Sequence, residues 1–99
     1  MQIHRTDLSA AEIKELGLGG PWFLEFDDGH VEEFETEAHA KEYVEQMRAR
    51  REYARKRISR LTKKLQSPML TPAQRASSRQ SLNRWVKIVA EINNKTGDA

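Results

Sequence analysis

The chain has 99 residues, of which 37% are hydrophobic and 32% charged, with no cysteine, a formal net charge of +2 and a mean hydropathy of −0.81. These values fit one small domain with a thin core and exclude disulfides, thiolate zinc sites and cysteine nucleophiles. The small net charge conceals a division: residues 1–45 carry twelve acids against three bases, and residues 46–99 fourteen bases against three acids, so the two parts stand at −9 and +11.

At the start, Met1, Ile3 and Arg5 alternate with Gln2 and His4, the period of a short strand. Ser9-Ala10-Ala11-Glu12 has the form of a capping box, in which the serine oxygen accepts an orphan helix N–H and the glutamate reaches back. It predicts a two-turn helix from Ala10 to Leu16, with Ile13 and Leu16 inward and Gly17 supplying the C-terminal turn. Leu18-Gly19-Gly20-Pro21 then breaks the chain before a strand in which Trp22, Leu24 and Phe26 share one face. Asp27-Asp28-Gly29 is a hairpin turn, because aspartate and glycine suit tight turns. On the return from His30 to Glu35, Val31 and Phe34 fall on opposite faces unless a bulge intervenes, and a three-residue loop sets Phe34 opposite Trp22. Thr36 is the N-cap of the next helix, with Glu37 where the helix dipole favours an acid.

In that helix Ala40, Val44, Met47, Arg51, Ala54, Ile58, Leu61 and Leu65 alternate steps of four and three, an unbroken heptad seam. Ser67-Pro68 ends it, and Thr71-Pro72-Ala73-Gln74 starts another helix with a cap and a proline at its first position. There the seam is Ser78, Leu82, Trp85, Val89 and Ile92, and two seams joined by a short loop make an antiparallel helical hairpin, coiled-coil-like in its packing. Folding about residues 66–72 sets Leu61 near Ser78, Ile58 near Leu82, Ala54 near Trp85 and Met47 near Ile92. Val86 and Ile88 widen the apolar stripe, which gives a homodimer as the simpler expectation for the remainder. The expected organisation is an α+β fold in one domain: an acidic β-rich part at 1–36, a long basic helix at 37–66, its partner at 72–94, and a flexible tail at 95–99.

The strongest chemical signal is nine bases within residues 48–64, opposed there by Glu52 alone. Lys56, Arg60 and Lys63 point away from the seam, Arg57 and Lys64 flank one side, and Arg48 and Arg55 the other. A helix shaped for solubility alone mixes signs and gains i,i+4 pairs, which this one forgoes. Arg75, Arg79, Arg84 and Lys87 extend the field. The pattern points to a polyanion site held through phosphate contacts, with an acidic protein surface, a contact between copies, and a solvated face as the other readings. Tyr53 faces outward among the arginines as a candidate for stacking or for a protein contact, Trp85 belongs to the core, and Arg51 snorkels out of the seam toward Glu91.

The second signal is the acidic hairpin, where Asp27, Asp28, Glu32, Glu33 and Glu35 crowd like charges that opposed strands normally avoid. It reads as a protected soluble edge, and otherwise as a second partner face: a phosphate mimic, or a dock for an arginine-rich helix. Asp27-Asp28-Gly29 is too short for a calcium loop, and His4, His30 and His39 lack zinc-ligand spacing, so neither metal nor other cofactor is expected. Ser77, Ser78 and Ser81 lack a glycine elbow and a neighbouring histidine, so no enzyme is expected either.

Phe26-Asp27-Asp28-Gly29 and Phe34-Glu35-Thr36-Glu37-Ala38-His39-Ala40-Lys41-Glu42-Tyr43 resemble the turn, last strand and helix of the arm-type DNA-binding domain of phage integrases. That family meets DNA with a basic sheet, whereas this hairpin is acidic; no residue role carries over, and the likeness implies only a phage or mobile-element character. The expected function is therefore a small non-enzymatic regulatory protein whose basic helical hairpin binds nucleic acid through backbone contacts. The alternative is a protein inhibitor or adaptor of host or defence nucleoprotein machinery, anti-CRISPR-like, acting through its charged faces. With no apolar run near the roughly 20 residues of a membrane span and no apolar leader, a cytoplasmic location without membrane contact is expected.

Overall fold

The computed structural model describes residues 1–98, and Ala99, the last residue of the expected tail, lies outside them. Its elements in chain order are β1 (Gln2–Arg5), α1 (Ala10–Glu15), β2 (Trp22–Glu25), β3 (Val31–Phe34), α2 (Glu37–Leu65) and α3 (Pro72–Thr96). This is an α+β fold: a three-stranded antiparallel sheet and a short helix, followed by two long helices that pack against each other. The chain divides into two compact units, one made of Met1–Met47 with the chain from Asn93 onward, the other of Arg48–Ile92. The first holds thirteen acids and four bases and the second thirteen bases and two acids, so the charge division coincides with the division into units, again at −9 and +11.

In the acidic unit β2 is the central strand, with Ile3 opposite Leu24 on one side and Trp22 opposite Phe34 on the other. The second pairing is the one a three-residue loop demands. The Phe26 N–H donates to the His30 carbonyl at 2.8 Å, the Gly29 N–H donates to the Phe26 carbonyl at 3.0 Å, and Gly29 takes φ +88°, which a side chain would resist. Pairing is uninterrupted from Trp22–Phe34 to Glu25–Val31, so Val31 lies on the face opposite Phe34 and stays exposed. Leu24, Phe26 and Val44 form the buried cluster, with Ile3, Phe34, Tyr43 and Met47 against it. Tyr43 sets its ring 5.4 Å from Phe34 and 6.1 Å from Phe26. Burying Leu24 fully contributes about 2 kcal/mol, a large share in so small a core.

The Ser9–Glu12 capping box forms in full. At the other end of α1 the Leu18 N–H donates to Ile13 and the Gly17 N–H to Lys14, a Schellman closure with Gly17 at φ +70°. One expectation fails here. Leu16 caps the helix and is 63% exposed, and it is Leu18, beyond the glycine turn, that is half-buried. Gly20 is buried, and a side chain there would collide with the Phe34 carbonyl.

In the basic unit Ala54, Leu61, Ser78 and Ile92 are buried and Arg51, Ile58, Leu65, Leu82, Trp85 and Val89 half-buried, so both seams face inward as the heptads require. Val86 is half exposed and Ile88 half-buried, so the widening of the α3 stripe extends to Ile88 only. Thr71 and Gln74 exchange hydrogen bonds at 3.2 and 3.0 Å, starting α3. At its far end α3 continues through Lys95 and Thr96, past the expected boundary at 94, before Gly97 turns the chain at φ +75°. α2 ends at Leu65, one residue short of expectation.

Candidate nucleic-acid interface

An α-helix satisfies its backbone internally except at its ends, so basic side chains along its middle have no carbonyl to reach and depend on acids nearby. Along α2 the basic unit offers only Glu52, and Glu52 is already taken, its carboxylate 2.8 Å from the Arg55 guanidinium. Lys56, one turn beyond Glu52, is exposed, as are Arg60, Lys63 and Lys64, and none of these four side chains makes a hydrogen bond or ion pair with another described residue. Lys56, Arg60 and Lys63 lie on the face opposite the seam. Arg48 is exposed at the start of the run.

Arg57 differs from its neighbours. It is half-buried, and its Nε–H is withdrawn from solvent without an acceptor, a donor left in want of a partner. Tyr53 is 56% exposed, and its ring meets Trp85 edge-on at 5.5 Å and 73°. The outward tyrosine is therefore held from behind by the seam tryptophan.

The arginine at the hairpin tip is structural. Arg75, expected to extend the basic field, donates to the Leu65 carbonyl at 2.8 Å and to the Ser67 carbonyl at 3.1 Å, closing the end of α2. A signal for this was present: a guanidinium in the first turn of the second helix lies within reach of the carbonyls the first helix leaves unpaired. Arg79, Arg84 and Lys87 are exposed.

The acidic hairpin presents the opposite case. Asp27 pairs with the Met1 ammonium, and Asp28 accepts the His30 N–H at 2.9 Å within the turn. Glu32 meets the His30 Nε2 at 2.8 Å, and Glu33 accepts the Gly19 N–H from the preceding loop. Glu35 is exposed beside the α2 cap. Four of the five carboxylates expected as a second partner face are thus engaged within the acidic unit, Asp28 and Glu32 inside the hairpin and Asp27 and Glu33 tying it to the chain before it.

No family model, curated protein or solved structure matches this chain. The likeness of residues 26–43 to the integrase domain stands on those residues alone. No helix among the described residues is long and apolar enough to cross a membrane.

Proposed function

We propose that the protein is a non-enzymatic nucleic-acid-binding factor that grips phosphates with the outer face of α2. Lys56, Arg60, Lys63 and Lys64 carry the contact, with Arg48, Arg55 and Arg57 beside them. One observation bears most of the weight: four exposed basic side chains on one helix have no hydrogen-bond or ion-pair partner among the described residues, while the acid nearest to them along α2 is already paired. Concentrated positive charge of this kind favours polyanions and releases their counterions on binding. Such contacts read the backbone and not the base sequence. The proposal places the protein in the cytoplasm, with nucleic acid as its partner.

Fluorescence anisotropy with a labelled oligonucleotide, using protein freed of nucleic acid by nuclease, tests this. Binding that weakens steeply with salt and is abolished by Lys56→Glu, Arg60→Glu and Lys63→Glu together supports it; retention of binding by that triple variant sinks it. Absence of binding by the unaltered protein, with a protein partner captured through nuclease treatment and lost on the same reversal, assigns the face to an acidic protein surface instead.

A further inference from the structure

Arg50, Tyr53, Arg57, Arg60 and Lys64 follow one another by steps of three, four, three and four, and so form a single line along the flank of α2. The line is one aromatic ring among four cations. At 1.5 Å per residue, Arg57 lies about 6 Å and Arg60 about 10 Å along the axis from Tyr53. Tyr53 leaves more than half its surface to solvent, yet Trp85 braces it edge-on at 5.5 Å, which restrains the ring without covering it. The next residue of the line, Arg57, has a desolvated Nε–H lacking an acceptor.

We infer that this line is a track for single-stranded nucleic acid, on which Tyr53 stacks an unpaired base while the cations take the flanking phosphates. The inference rests on nucleic-acid binding by the basic unit and specifies its ligand. In a duplex each base face is covered by its neighbours, so a ring projecting from the side of a helix has nothing to stack on. A single strand exposes its π-faces, and the pairing of an aromatic platform with a positive track is the chemistry that holds such strands without reading sequence.

The full-length chain should be titrated with labelled oligothymidine and oligouridine of about 15 nucleotides, and with a duplex of the same length. Both single strands are expected to bind more tightly than the duplex at equal salt, the difference between the two strands showing whether the sugar matters. Tyr53→Ala should weaken single-strand binding about tenfold without changing its salt dependence. Tyr53→Leu, which keeps apolar bulk against Trp85, should lose as much, and Tyr53→Phe should bind as the unaltered protein does. Circular dichroism establishes that each variant keeps its helix. Salt-dependent binding that ignores Tyr53→Ala, or that favours the duplex, overturns the single-strand track and leaves phosphate binding standing. Failure of all three oligonucleotides to bind overturns both.

Discussion

The two units carry nearly equal and opposite charge, −9 and +11, and put it to different uses. The carboxylates of the acidic hairpin are short, sit beside turns and loops, and find donors there: Asp28 the N–H of His30, Glu33 that of Gly19, Asp27 the terminal ammonium. A sheet of four-residue strands leaves many backbone donors unpaired, and acids placed next to them are structural. The bases of α2 are long, and those before its last turn, Lys56 and Arg60 among them, stand on a helix whose carbonyls are already bonded. Arg75, within reach of the end of α2, binds the Leu65 and Ser67 carbonyls. The sign of the charge matters less than the backbone beneath it.

That contrast is tested most severely by the triple reversal of Lys56, Arg60 and Lys63, which should remove oligonucleotide binding and change thermal stability little, relief of like-charge repulsion offsetting the acid placed in the last turn of α2. A melting temperature lowered by about 10 °C or more would mean that those bases serve the fold. Leu24→Ala should cost about 2–5 kcal/mol in chemical denaturation, since Leu24 is fully buried in a core with few other members. Next in size is Arg75→Ala, expected to lose about 1.5–3 kcal/mol of stability with binding little altered. Arg75→Lys should not restore it, because one ammonium lacks the fork that spans two carbonyls. The smallest effects form a reciprocal pair. Glu33→Ala should lower stability by about 1 kcal/mol and spare binding, whereas Lys63→Ala should spare stability and weaken binding, read by denaturation and anisotropy on the same samples.

Much of the architecture was legible because its signals are local. Ser9-x-x-Glu12 and Thr71-x-x-Gln74 announce caps, Asp27-Asp28-Gly29 fixes the loop length, and the loop length fixes Trp22 opposite Phe34. The heptad steps identified both seams. The burial of Leu18 in place of Leu16 is not legible in the sequence, because periodicity cannot tell whether the last apolar residue of a two-turn helix packs before or after the glycine that reverses the chain. The roles of Arg75, Glu33 and Asp27 are not legible there either, because they depend on which backbone groups a distant loop, helix end or chain terminus brings near. On the α2 face the charge pattern and the outward Tyr53 were visible. The brace from Trp85 was not, since it depends on how the two helices meet.

The most direct measurement is the dependence of oligonucleotide affinity on salt for the unaltered chain and for Lys56→Ala, Arg60→Ala and Lys63→Ala combined. If these side chains neutralise phosphates, log K should fall linearly with log salt, and the triple variant should shed about 2 from the slope on a single strand. An affinity indifferent to salt, or a slope that the triple variant leaves untouched, would contradict the assignment of the α2 face as the binding surface.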